Sequence, residues 1–171
     1  MNRTRTRLAW IGLAVLMAMS VPGHVSADEQ DANYTEAHGD VVRKMSSARS
    51  LYLLKCSGCH GVDGAGAPAA GVPPFPGFVA PLARNPDGRR YIAHVPGIVA
   101  SRLSNEQLVS VLNYVIEEWS SEADAAATPR FTVAEFAELR AAPVSNIVDL
   151  RRDVVAQLSA AGDPVADYPW P

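Results

Sequence analysis

The residues best able to do chemistry are five in a row, Cys56-Ser57-Gly58-Cys59-His60. Two thiols three positions apart with an imidazole directly after form the attachment pattern of a covalently held haem. Each thiol can add across one haem vinyl group, and the three-residue step sets the sulfurs at roughly vinyl spacing. His60 then falls beneath the iron as the proximal ligand. Other chemistries fit less well. A thioredoxin-like pair requires a βαβ neighbourhood, whereas the flanks here read as helix before and Gly/Pro loop after. Structural zinc needs four ligands, and no second Cys pair or closely spaced His pair exists elsewhere in the chain. A Cys56–Cys59 disulfide would close a very small loop, stabilise little and leave His60 without a role.

The elements around the pentapeptide must bring it to a haem outside the bacterial cytoplasm, because that is where haem is coupled to thiols. Residues 1–27 supply the export signal. Arg3, Arg5 and Arg7 form a basic start, Leu8 to Gly23 an apolar stretch, and Val25-Ser26-Ala27 a small-residue cleavage site. The apolar run is shorter than the roughly 20 residues that a spanning helix needs, so the mature chain is expected to begin at Asp28 and not to span a membrane. It keeps 12 basic and 18 acidic residues, a net charge of about −6. Nothing in this balance suggests a nucleic-acid partner.

Residues 28–39 are polar, contain His38 and read as a flexible lead-in. From Asp40, Val41, Met45, Ala48, Tyr52 and Cys56 recur at steps of three and four, predicting a helix whose apolar face delivers Cys56. The Gly- and Pro-rich run Gly61–Pro68 must be a loop. It can bring Val72-Pro73-Pro74-Phe75 back across the proximal side, where a proline carbonyl can accept the Nδ1 proton of His60. A short helix over Pro86–Val95, carrying Tyr91, Ile92 and His94, is predicted to stop at Pro96-Gly97. Ser104 to Gln107 forms a capping box ahead of Leu108, Val111, Leu112, Val115 and Trp119 on one helical face. Residues 122–130 read as a linker. Beyond them come a capping box at Thr132–Glu135, a short helix to about Arg140, and a last helix capped by Ser145 and stopped by Gly162. This 131–171 extension is too short to fold alone and is expected to pack on the preceding domain. Tyr168 and Trp170 lie in its Pro-rich tail.

Over roughly Asp40 to Ser120 the chain resembles the class I single-haem bacterial cytochromes c. Cys56, Cys59 and His60 match the haem-binding motif, and Tyr52 matches the aromatic expected four residues before the first Cys. Pro73 and Phe75 fall where that family has its Pro-x-Leu segment, which implies that the Pro73 carbonyl orients His60. Leu103 through Gln107 to Tyr114 is similar to the family's last helix, and Ala48 stands where a Gly is usual at the helix crossing. The resemblance implies an all-α, cytochrome c-like haem domain at 40–121, here with a short helical C-terminal extension.

On the distal side the chain departs from that pattern. Its only methionines, Met1, Met17, Met19 and Met45, all precede Cys56. Met45 lies eleven residues ahead of Cys56, about 16 Å along a helix at 1.5 Å per residue. The stretch where the family has its ligand is Gly97-Ile98-Val99-Ala100-Ser101, which offers no good iron ligand. Two arrangements answer this. His94, the only histidine after His60, completes a bis-histidine iron, or the sixth position stays open to a small ligand such as nitric oxide, carbon monoxide or peroxide, with Asn85, Asn105 or a group of the tail as further candidates.

Charge adds one more expectation. Arg84, Arg89, Arg90 and Arg102 face Asp87 alone between residues 84 and 102, while Glu106, Glu117, Glu118, Glu122 and Asp124 follow without a basic residue among them. Such a polar field would orient a transient redox encounter, or some of the arginines would pair with haem propionates. The expected function is that of a periplasmic, non-enzymatic carrier of single electrons with one covalent haem c, working between partners such as a dehydrogenase and an oxidase or reductase. The alternatives are a gas-binding haem protein with an open distal site, and an accessory haem subunit of a periplasmic oxidoreductase that uses the extension as its interface.

Overall fold

In the computed structural model, residues 47–166 are described. The expected signal segment, the expected lead-in with His38, the residues Val41 and Met45 expected to open the first helix, and the tail residues Tyr168 and Trp170 lie outside them. The described chain is all-α, with helices α1 (Ala48–Lys55), α2 (Ser57–His60), α3 (Val79–Arg84), α4 (Pro86–His94), α5 (Pro96–Ala100), α6 (Asn105–Trp119), α7 (Glu122–Ala127), α8 (Val133–Ala141) and α9 (Ile147–Ala160). A 3-10 turn at Pro68–Ala70 and a single antiparallel bridge between Ala67 and Val72 are the regular features of the long loop between α2 and α3. No helix among the described residues is long and apolar enough to cross a membrane.

The core forms where α1 crosses α6 and where α3 and α4 pack beneath them. Helix α6 follows its capping box: the Ser104 hydroxyl accepts from the Gln107 amide, and the Gln107 side chain accepts from the Ser104 amide at 3.0 Å. It buries more than the one stripe read from sequence. Val109, Asn113 and Ile116 are also buried, forming a second stripe that faces the C-terminal helices. Asn113 ties that contact directly, because its side chain donates to the Phe131 carbonyl and accepts from the Phe131 amide, at 3.0 and 2.8 Å.

Several elements differ from the sequence expectation, each for a physical reason. The first helix ends at Lys55 and delivers Cys56 from its end as expected, but the residues after it form a separate helical turn that the sequence does not foresee. Val79–Arg84, to which the sequence assigns no element, is a buried helix; Pro81 sits in its first turn, where an amide proton has no intrahelical partner to lose. Helix α4 stops at His94, ahead of Pro96 as expected, but Pro96 then opens a further short helix, α5, at the first helical position, which proline favours. Residues 122–127, read as linker, are a helix capped by Ser121. The last helix is capped by Asn146, whose side chain accepts from the amides of Val148 and Asp149, and not by Ser145. At its far end Gly162 takes a left-handed φ of 75°, and its amide and that of Asp163 close back on Ser159 and Leu158, as expected of a glycine stop.

Three of the arginines that look unopposed in sequence meet carboxylates within the fold. Arg84 donates to Asp163 at 2.7 Å and to Asp124 at 2.9 Å. Arg90 pairs with Asp87 at 3.0 Å. Arg89 is buried; it pairs with Glu135, donates to the carbonyls of Ala83, Pro129 and Arg130, and lies 3.7 Å over the Phe131 ring. These contacts bind α3 and α4 to the segment after α6. The 131–166 residues thereby share one core with the rest, with Phe131, Phe136, Leu150, Val154 and Leu158 all buried in it.

Two consequences can be measured. Gly88 in α4 has no room for a side chain, since a Cβ there would stand 2.1 Å from the Leu82 carbonyl oxygen, a backbone atom that cannot swing away. Alanine's helix preference of about 1 kcal/mol is outweighed by overpacking. Gly88→Ala is therefore expected to lose about 1–3 kcal/mol, read as a fall of several degrees in Tm.

The second concerns Glu135, whose carboxyl is held below the ordinary carboxylate range mainly by the hydrogen bonds from Arg89, against the opposing effect of burial. A depressed folded-state pKa contributes stability above the unfolded value near 4.5, and that stability is lost as pH falls through the folded value. The stability gap between the wild type and Glu135→Gln should be full at neutral pH and narrow progressively as the pH falls below 4.5 in denaturant titrations.

Candidate functional site

Helix α1 ends at Lys55, and Cys56 leaves helical geometry at φ −120° and ψ −36° while its amide still bonds to the Tyr52 carbonyl at 2.8 Å. The next four residues make one tight turn: the amides of Cys59 and His60 both bond to the Cys56 carbonyl, at 3.2 and 3.0 Å. The Ser57 hydroxyl donates to the Leu53 carbonyl at 2.7 Å and joins this turn to α1. The break therefore presents Cys56 half-buried against the core and Cys59 exposed, both as free thiols. Burial, and then Cys59, push the Cys56 thiol above its ordinary range.

The loop folds back onto His60. The Gly66 amide bonds to the His60 carbonyl at 2.8 Å, and the Phe75 amide to the Gly64 carbonyl at 2.9 Å. Gly66 is required there: its φ is 67°, and a Cβ would lie 2.4 Å from the Pro73 carbonyl oxygen. The close approach sets that oxygen 3.2 Å from His60 Nδ1. A carbonyl can only accept, so Nδ1 carries the proton and Nε2 keeps its lone pair. Burial lowers the imidazole's pKa, with the Pro73 bond partly opposing it, so the ring is neutral at neutral pH. The Phe75 ring stacks on it at 4.3 Å and 16°.

Tyr52 anchors the arrangement from α1. It is 1% exposed, its hydroxyl donates to the Gly61 carbonyl directly after His60, and its ring meets Phe75, Tyr114 and Trp119. Burial chiefly, then Cys56, Tyr114 and Asp63, push its phenol up to about 12, so it remains a donor. Periodicity places Tyr52 on the inward face but carries no signal for what its hydroxyl does. Trp119, expected as core packing, has its ring set against both Tyr52 and Phe75.

His94 closes α4, half-buried, with Nδ1 2.9 Å from the Arg90 carbonyl of its own helix. No group of three or more His, Cys, Asp or Glu among the described residues is arranged to hold a metal ion. Helices α2 and α5 each pack on the helix before them. Around these turns the chain exposes large apolar side chains, with Leu54 63%, Val62 75% and Val99 56% exposed. In the loop after α5, Arg102 takes a left-handed φ of 59°, a strained setting for a residue with a Cβ.

These residues fit a covalently attached haem. Two free thiols lie on one turn, the adjacent imidazole has a fixed tautomer and a bare nitrogen, and uncovered apolar side chains flank the turn. Zinc does not fit, for want of further ligands, and a thioredoxin-like pair would need strands that the described residues lack.

Comparison with known proteins agrees. The chain is 30% identical over 121 residues to a cytochrome c-552 of Thermus thermophilus, an alignment spanning 60% of this chain and 80% of that protein. It is also 30% identical over 105 residues to a second Thermus thermophilus cytochrome c-552, spanning 51% of this chain and 79% of the relative. No family profile matches the chain, and no solved structure does. With that identity sustained over four-fifths of the relative's length, around a thiol-thiol-imidazole turn built as described, the chain belongs to the c-type cytochromes.

Proposed function

We propose that this chain binds a single haem through thioether bonds from Cys56 and Cys59, with His60 as proximal iron ligand, and carries single electrons between periplasmic redox partners. The observation that carries the reading is the His60 geometry, Nδ1 bound to the Pro73 carbonyl and Nε2 bare beside two free thiols. When bound, haem supplies a one-electron iron couple. The chain's own residues do the rest. Pro73 and Phe75 fix the imidazole plane, and Tyr52 holds the turn that carries it against the packed α1–α6 pair. The reading includes export by residues 1–27 and no enzymatic activity. A dehydrogenase as donor and an oxidase or reductase as acceptor complete the scheme.

One observation favours a second reading. No methionine follows Cys56, so the sixth position is taken by His94 or left to an exogenous ligand, ahead of Asn85, Asn105 or a group of the tail. His94 would give a lower-potential carrier closed to gases, and an open position a gas-binding protein.

Two measurements test these readings. Acid-acetone extraction of the denatured protein should leave it red, with an intact mass that includes one haem; loss of colour would end the covalent reading. The ferric protein should give a low-spin paramagnetic resonance spectrum that turns high-spin in His94→Ala. A high-spin wild type that binds carbon monoxide on reduction excludes His94 and leaves the open site.

A further inference from the structure

The aromatic rings next to His60 form a continuous path from the proximal ligand to the protein surface. His60 stacks on Phe75 at 4.3 Å, Phe75 meets Trp119 at 5.3 Å and Tyr52 at 6.1 Å, and Tyr52 meets Trp119 at 4.7 Å. Tyr114 closes the group, 6.0 Å from Tyr52 and 5.6 Å from Trp119. All are centroid separations at which electrons pass rapidly between rings. The path is graded in chemistry as well as position. Phe75, beside His60, is too hard to oxidise to hold a charge and can only transmit. Tyr52 is buried, with its proton on a backbone carbonyl, which is not a base. It cannot shed that proton and so does not retain a radical. Trp119 and Tyr114, half-exposed at the far end, can release theirs to water.

We infer that Phe75, Tyr52, Trp119 and Tyr114 form an electron relay that protects the site when a hydroperoxide reacts there, directing oxidation to Trp119 and Tyr114 and away from the macrocycle. The inference rests on the haem reading above with the sixth position open to the hydroperoxide, which the ferric resonance spectrum shows before any peroxide is added. One hydroperoxide needs two electrons and two protons to become an alcohol, or water, plus water. Trp119 supplies one electron and its indole proton, and Tyr114 supplies one electron and its phenol proton. The two ring radicals left behind are neutral, and one at Trp119 that is not re-reduced takes up dioxygen, leaving oxygen-addition products on that ring.

The test treats the haem-loaded full chain with hydrogen peroxide, follows bleaching of the Soret band and locates oxygen additions by peptide mass spectrometry. Phe75→Leu removes the ring that touches His60 while Trp119 stays in place. It should bleach several-fold faster than wild type, with several-fold less oxygen on Trp119. The Trp119→Phe/Tyr114→Phe double variant should also bleach faster. Tyr114→Phe alone deletes only a hydroxyl, is the mildest change to the fold, and should lose the tyrosyl signal in freeze-quenched paramagnetic resonance. Bleaching at the wild-type rate in these variants, equal oxygen on Trp119 with and without Phe75, or a wild type untouched by peroxide would each overturn the relay. Failure of the haem reading itself would show earlier, as a preparation with no Soret band.

Discussion

The hydrogen bond from the Tyr52 hydroxyl to the Gly61 carbonyl is the constraint on which the site depends. Tyr52 is almost wholly buried, so its hydroxyl must find an acceptor inside the protein or leave a costly unpaired group. The acceptor it finds is the backbone just past His60. A residue on α1 thus fixes the end of the turn carrying both thiols and the imidazole, while its ring packs on α6 through Tyr114 and Trp119 and on the returning loop through Phe75. The helix crossing and the position of His60 therefore rest on the same side chain.

A second constraint lies around Arg89. A buried guanidinium is tolerated only when its donors are matched, and here Glu135 and three backbone carbonyls match them while Phe131 covers its face. Every partner except Ala83 comes from the segment after α6. Together with Asn113 on Phe131 and Arg84 on Asp124 and Asp163, this makes the C-terminal helices part of the core under α4. The same contacts oppose Arg84 and Arg89 with carboxylates that lie 40 or more residues away along the chain, pairs that a local count of charge does not register.

Local signals were legible wherever a few adjacent residues decide the outcome. The capping boxes at Ser104 and Thr132 and the glycine stop at Gly162 appear as expected, since each is a short-range hydrogen-bond pattern. The shorter helices were harder to read. Val79–Arg84 carries a proline and no polar face, and its helicity comes from burial against α4 and α6, which no periodicity records. The cap at Asn146 displaced Ser145 because two good cap residues stand side by side and only the packing of α9 selects between them.

The order of residues was enough to set the chemistry: two thiols and an imidazole at fixed spacing, a loop that glycine and proline keep out of helix, and the apolar stripe of α6. Those properties follow from covalent connectivity and one-turn geometry, which neighbours in the chain control. Folding in three dimensions had to choose which carbonyl meets His60 Nδ1, which ring stacks on it, and which carboxylates answer the arginines. Each of these depends on segments distant in sequence approaching within a few ångströms, as Gly66 does with Pro73 and α4 with the C-terminal helices. Such approaches are set by how the core closes, and a linear pattern of residue types does not encode them.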